Sequence, residues 1–302
     1  MAFVRRFIDA KFELGTGNYG ESGFNTLTLS GLRISANVQY AGGFAMGSAN
    51  VRIWGMTLSH MNQLSTLGIT ITAQRRNVLT LLANNEGEPP AIFFKGNILD
   101  AWADLNSQPD VAFIVSANTG LFNAVKQATP ISIRGSVDVA SVLSGIAAEM
   151  NMPFLNYGVT SRLPTSYYAG SLRDQALKIV KHAGIQWNAL ENEVFAIWPT
   201  GGSRGGAIPL VSEETGMIGY PTFQANGIMV KTIYNPSIGL GTKIAVRSTI
   251  QSLLNAREKI LRPVTGEWVV YKIDHQLESL LPHGKWYSTM LAHVVGAGPF
   301  VA

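Results

Sequence analysis

The sequence predicts an α+β chain in which two β-rich outer parts with barrel-like strand spacing flank a small α/β module. The first part covers residues 1–125, the module 126–203 and the last part 204–302. Three observations carry this division. Apolar residues alternate with period two through the outer thirds. Two apolar stripes of helical spacing stand in the middle, each behind a candidate capping residue. The glycine-rich stretch "TGGSRGGAIP" at 200–209 separates the middle from the end.

The first strand runs through "RRFIDAKFEL" and leads into Gly15, Gly17 and Gly20, spaced G-x-G-x-x-G. That spacing is a dinucleotide fingerprint only where the glycines pass from a strand into a helix, whose N-terminus holds the pyrophosphate. Here "ESGFNTLTLS" follows without helical periodicity, and Arg33 to Arg52 contains no Asp or Glu to meet a ribose. The glycines are read as a long hairpin loop, and no cofactor is expected there. Leu27, Leu29, Leu32, Ile34 and Val38 are spaced mostly by two, so a strand with a bulge or bend at Gly31 is expected. Gly42, Gly43 and Gly47 mark a turn before "SANVRIWGM". Leu58, Met61 and Leu64 give a short helical piece, and "GITITAQRR", "PAIFFKGNILDAWAD" and "DVAFIVSAN" read as strands.

In the middle, "ISIRGSVDVASVLSGIAAEMNM" is a strand followed by a helix. Val139, Val142, Leu143, Ile146, Ala147 and Met150 form one apolar face, with Ser136 the expected N-cap. A second helix opens at Ser171, with Asp174 three residues on as in a capping box. Leu172, Ala176, Ile179, Val180 and Ala183 share its inner face, and Gly184 stops it. Strands "IQWNAL" and "VFAIWP" follow, joined by "ENE". The last part carries four strands, in "NGIMVKTIYNP", "GTKIAVRST", "TGEWVVYKIDHQL" and "GKWYSTMLAHVV". Turns are expected at Asn235-Pro236 and Pro282-His283-Gly284, with 250–261 a helix or an irregular insertion.

Composition narrows the function. Charged residues are 14% of the 302, against roughly 25% in an average soluble protein, while 46% are hydrophobic. No apolar run approaches the ~18–20 residues of a membrane helix. A charge-poor chain of this kind suits large permanent interfaces, which resemble a core cut in half. The net charge of +4 is spread out, with Arg5-Arg6 and Arg75-Arg76 the only adjacent arginine pairs, so a nucleic-acid footprint is weak. The absence of cysteine excludes disulfides, thiolate metal sites and cysteine nucleophiles. The start, "MAFVRRFIDAKFEL", lacks the apolar run of a secretory signal.

Candidate chemistry is sparse. His60, His182, His275, His283 and His293 show no i, i+4 pair, and Asp274-His275 on a strand point to opposite faces. Glu213-Glu214 are adjacent rather than set to flank a bond, and are read as a solvated loop. "GGSRGG" could cradle a phosphate, but no helix follows it. The six tryptophans, Trp54, Trp102, Trp187, Trp198, Trp268 and Trp286, fall mostly in strand runs and are read as packing residues. No catalytic, cofactor-binding or metal-ligating residue is assigned.

Several segments, in order, resemble the baseplate hub proteins of contractile phage tails, a family related to the N-terminal part of type VI secretion spike proteins. "GLRISANVQYAGGFAMGSANVRIWGMTLSHMNQLSTLGITITA" looks like the family's first domain, and "PAIFFKGNILDAW" like its next strand. "NGIMVKTIYNPSIGLGTKIAVRS" resembles its strand, Asn-Pro turn, glycine and strand unit. "WVVYKIDHQLESLLPHGKWYSTMLAHV" resembles its closing hairpin, with His275 in the first strand and Trp286 after the turn.

The resemblance implies a structural virion protein of the tail baseplate, without enzymatic activity, assembled in the host cytoplasm. It implies a homotrimer whose two tail-tube-type barrels per chain make a pseudo-sixfold ring around a channel. The implied partners are the tail tube protein, the central spike or tail tip protein, neighbouring baseplate proteins and the tape measure protein, with DNA only in transit. Two other classes stand beside it: a receptor- or carbohydrate-binding tail protein, and an enzyme whose scattered Asp, Glu and His residues meet only in the fold.

Overall fold

The computed structural model describes residues 4–296 except 16, 20–22, 43–44, 66–75, 107, 126, 192–193, 225, 250–251 and 254–263, with backbone alone at 187–191 and 252–253. In chain order the elements begin β1 Arg6–Glu13, β2 Thr26–Leu29, β3 Ile34–Tyr40, β4 Ser48–Trp54, α1 Leu58–Leu64, β5 Val78–Asn85, β6 Ala91–Asp104, β7 Ala112–Asn118 and α2 Leu121–Val125. The middle adds β8 Ile131–Ile133, β9 Val137–Asp138, α3 Val139–Glu149, β10 Phe154–Asn156, β11 Arg162–Leu163, β12 Ser166–Tyr168, α4 Leu172–Ala183, β13 Ile185–Glu191 and β14 Val194–Pro199. Last come β15 Leu210–Val211, a 3-10 turn Glu213–Thr215, β16 Thr222–Gln224, β17 Gly227–Ile233, β18 Lys243–Ser248, β19 Ser252–Leu253, β20 Val264–Glu278 and β21 Trp286–Val294. The class is α+β, mostly strand with few helices, as the alternation in the outer thirds and the two capped stripes require.

The chain divides into two compact units. One holds Met1–Gln39, Met46–Phe122 and His275–Trp286; the other holds Tyr40–Ala45, Asn123–Asp274 and Tyr287–Ala302.

In the first unit the strand order is β20, β3, β4, β7, β6, β5, β1, β2, where β20 contributes His275–Glu278. Neighbours from β3 to β2 are antiparallel. Period-two alternation builds its core: Phe12 lies opposite Leu79 and Ala10 opposite Leu81, all within 1% of full burial. Phe113, Val115, Val51 and Ile34 continue this layer at 0% exposure. Burying each large side chain contributes roughly 1.5–3 kcal/mol. The consecutive buried pair Phe93-Phe94 breaks the alternation of β6. The register with β5 shifts there, from Leu81 opposite Phe94 to Leu82 opposite Ile92, so Phe93 is the extra residue of a bulge. The expected bend at Gly31 separates β2 from β3, and Gly31 takes φ +69. Helix α1 is capped by Thr57 and buries Met61 and Leu64. The strand expected in "GITITAQRR" falls almost wholly outside the described residues.

The segment 275–286 belongs to this unit because Ser279 ties it to the start of β3. The Ser279 amide donates to the Ile34 carbonyl at 2.9 Å, and the Ile34 amide donates to Ser279 Oγ at 3.0 Å. Pro282 and His283 form the expected turn, closed by the Gly284 amide donating to the Leu281 carbonyl at 3.0 Å.

In the second unit, β16, β17, β21 and β20 follow one another, with β19 outside β16 and β18 between β20 and β15. A separate three-stranded sheet, β10, β14, β13, packs with α3 and α4. Helix α4 forms as its sequence indicates. Ser171 Oγ accepts from the Asp174 amide at 3.2 Å, and Asp174 Oδ2 accepts from the Ser171 amide at 3.3 Å. Gly184 closes the helix in the left-handed conformation, φ +61, with Lys181 and His182 in the last turn. Helix α3 buries Val139, Leu143, Ile146 and Ala147, as the stripe predicts. Its N-cap is Asp138 rather than Ser136: Asp138 Oδ2 accepts from the Ser141 amide at 2.8 Å. Ser136 Oγ instead accepts from Arg162 Nε at 2.8 Å. At Asn235-Pro236 the Asn235 side chain accepts from the Ser237 amide at 2.9 Å, the expected turn. The stretch 250–261 lies outside the described residues, apart from the backbone of β19.

Candidate functional site

The glycine loop joins antiparallel strands. Glu13 on β1 lies opposite Thr26 on β2, and inside the loop the Leu14 amide donates to the Asn25 carbonyl and the Tyr19 amide to the Phe24 carbonyl, both at 2.8 Å. The Gly15 amide, which a phosphate would need, donates to Asn77 Oδ1 at 3.0 Å. Gln63 Nε2 reaches the Asn18 carbonyl at 2.8 Å, and Tyr19 is buried. Amides engaged by loop carbonyls and by Asn77, with a strand where a helix N-terminus would be, make a braced hairpin loop. Gly20 lies outside the described residues.

The titratable residues are dispersed. His275 is buried and meets Phe93 edge-on, ring centroids 6.4 Å apart. Desolvation holds its pKa down at about 4, so it is neutral at pH 7. His182 Nδ1 bonds the Tyr168 hydroxyl at 2.7 Å, and His293 stacks on Tyr271. His60 is half-buried on α1 and His283 is exposed in the turn. Glu213 Oε1 accepts from Ser248 Oγ at 2.9 Å and from the Thr249 amide at 3.1 Å. Its pKa is lowered first by its own backbone amide, then by Ser248 and Thr249. Glu213 thus anchors one loop to another, and Glu214 beside it is exposed. Among the described residues, no group of three or more Asp, Glu or His side chains comes together that could hold a metal.

The tryptophans follow the packing reading where their side chains are described, except Trp102. Trp198, Trp268 and Trp286 are buried, and Trp54 is covered by the Arg33 guanidinium 4.3 Å above its ring. Trp102 is 42% exposed. The Trp187 side chain lies outside the described residues.

What the surface offers is apolar area and strand edge. Phe24, Leu58 and Trp102 in the first unit, and Tyr167, Ile208 and Tyr220 in the second, are all more than 40% exposed. Large uncharged side chains left in water suit burial against other subunits. The sequence reading did not single out the edge at β2. Its signal was present, in a four-residue strand of Thr and Leu beside an exposed Phe24.

Solved phage tail proteins share this fold. Its likeness to solved tail proteins covers nearly the whole chain. A tail protein from Neisseria meningitidis MC58 is similar with a TM-score of 0.60 at 8% identity, covering 96% of this chain and 98% of that one. The 43 kDa tail protein of prophage MuSo2 from Shewanella oneidensis is similar with a TM-score of 0.55 at 7% identity, over 96% and 98%. The E. coli c3393 protein, a type VI secretion component with structural similarity to T4 tail proteins gp27 and gp5, gives 0.55 at 9% identity over 89% and 76%. No curated protein matches the sequence. The family model described as baseplate hub gp41 matches residues 12–285, and the chain belongs to that family of structural tail baseplate proteins.

Proposed function

We propose that three copies of this chain form a closed ring at the tail baseplate, joining a hexameric tail tube to a trimeric central spike and enclosing the channel through which DNA passes. The match to the baseplate hub family over residues 12–285 carries this reading. In it, residues 1–125 and 204–302 each form a tube-like barrel and 126–203 the module between them. Two barrels per chain let threefold symmetry present six tube-like elements. A closed cyclic arrangement also stops addition at a fixed number of copies. The similarity of the type VI secretion component c3393 to two T4 tail proteins supports a hub beside a spike. Other baseplate proteins and the tape measure protein complete the proposed contacts, with assembly in the host cytoplasm and no catalytic role. Co-expression with the tube protein of the same tail tests it. The reading expects a complex with three hub copies against a tube ring of six. A hub that purifies with six copies per ring, or that lyses cell-wall substrate, would overturn it.

A further inference from the structure

Asn226 and Gly227 form the only Asn-Gly pair in the 302 residues. They stand where the chain turns from β16 into β17, with Gln224 opposite Gly227 and Phe223 opposite Ile228. Asn226 is exposed and Gly227 is half-buried. The fold itself demands the glycine. Gly227 takes φ +140, a conformation that residues with a Cβ rarely adopt. A Cβ there would run into the Ala292 carbonyl oxygen on β21 and stand 3.0 Å from the His293 Cα. The close approach of β17 to β21, with Ile228 opposite Ala292, thus leaves glycine as the residue that must follow Asn226.

That glycine has a chemical consequence. An asparagine carboxamide is open to attack by the backbone nitrogen of the next residue, and a side chain on that residue is what ordinarily hinders the approach. The direction of the Gly227 amide follows from the strand. The Ile218 amide donates to the Lys231 carbonyl at 2.7 Å and the Ile233 amide to the Gly216 carbonyl at 2.8 Å, on the side of β17 away from β21. By antiparallel alternation Gly227 turns its backbone groups to that same side, toward Gln224. β16 has only three residues, and Gln224–Gly227 is its last pair before the turn. The amide is released whenever that end of the hairpin opens.

We propose that Asn226 is a site of spontaneous deamidation in the folded protein. With the hairpin end open, the Gly227 nitrogen gives up its proton to solvent and bonds to Asn226 Cγ. The Cγ–Nδ2 bond breaks, and ammonia leaves with a proton taken from water. The product is a five-membered succinimide. Water then adds to one of its two carbonyls and breaks that carbonyl's bond to the Gly227 nitrogen. Opening at Cγ leaves aspartate. Opening at the backbone carbonyl leaves isoaspartate, whose main chain runs through the former side chain and is longer by a methylene. Water is the only co-reactant. Either product places a carboxylate where a neutral side chain stood, so the hairpin end becomes acidic with age. Because the pairing with Gln224 must open first, the folded chain reacts more slowly than the unfolded one.

The test incubates the purified full chain in mildly alkaline buffer, folded and in urea. Peptide mass spectrometry follows each asparagine, and isoaspartyl methyltransferase labelling separates isoaspartate from aspartate. The expected result in the folded chain is loss of the Asn226 amide ahead of every other asparagine, with both products present, and a faster loss at the same residue in urea. Asn226→Gln, which would need a six-membered ring, is expected to melt with wild type and to gain no label at 226; Asn226→Ser takes its place if the glutamine variant does not fold. Conversion in urea with none in the folded chain overturns the proposal, as does another asparagine converting first in the folded chain. Aspartate without isoaspartate also overturns it, since direct hydrolysis would then replace attack by Gly227.

Discussion

Acidification probes the core of the first unit through one group. His275 is 4% exposed, against the edge of Phe93, and burial holds its pKa down to about 4 from an ordinary 6.5. Between these values the unfolded chain binds a proton at this residue and the folded chain does not. Stability therefore falls as pH drops from 6.5 to about 4, and this group adds no further loss below that. The gap corresponds to roughly 3 kcal/mol, a large share of the ~5–15 kcal/mol that holds a domain folded. Glu213 works in a lower window. Its lowered pKa supplies stability above its ordinary 4.5, and that stability is lost as pH falls through the folded value. The assay is urea unfolding of wild type and His275→Phe at about pH 7 and about pH 4.5, since phenylalanine cannot take the proton. The stability difference between the two proteins should move by roughly 2 kcal/mol in favour of phenylalanine between these two pH values, short of the full gap because pH 4.5 lies above the folded pKa. A difference that stays constant, or an NMR titration placing His275 near 6.5, would refute the reasoning.

Three further outcomes follow from local geometry. An alanine Cβ at Gly227, where φ is +140, would sit 2.0 Å from the Ala292 carbonyl oxygen on β21. Gly227→Ala should thus melt well below Gly31→Ala, whose position has φ +69 but open space around it; equal melting temperatures would contradict a backbone clash. Ser171→Ala removes one arm of the α4 capping box and should cost about 1 kcal/mol in chemical denaturation. No loss would mean that the cap does not hold the helix. Trp286→Ala, at a site 3% exposed beneath Arg6, should cost ~3–5 kcal/mol, and a variant as stable as wild type would show that Trp286 is not a packing residue.

What the sequence revealed was mostly local. The capping box at Ser171 and Asp174, the stop at Gly184 and the alternation of Phe12, Ala10 and Ile8 are each set within a few residues. They could be read before the fold was known. The N-cap of α3 went astray because Val137-Asp138 pairs with β11, so the helix opens at Val139 and Asp138 before it is the cap, while Ser136 Oγ accepts from Arg162, 26 residues away. The bulge at Phe93 was hidden because "AIFF" looks like any short apolar run until its neighbour β5 fixes the register. The grouping of 275–286 with the first unit depends on Ser279 meeting Ile34, 245 residues away. Edge status was equally out of reach, since among the described residues β2 ends its sheet only because β5 takes the other side of β1. The dinucleotide fingerprint fails for a reason the sequence did supply, a strand where a helix must begin. The family likeness became legible only as an ordered set of weak fragments.

Cryo-EM of the assembled tail tests the central claim most directly. The account predicts three copies of this chain in a closed ring between tube and spike, with residues 25–120 of each copy touching residues 220–300 of its neighbour. A ring of six copies, or three copies whose 25–120 and 220–300 segments never meet across a chain boundary, would contradict it and point to a tube or collar protein instead.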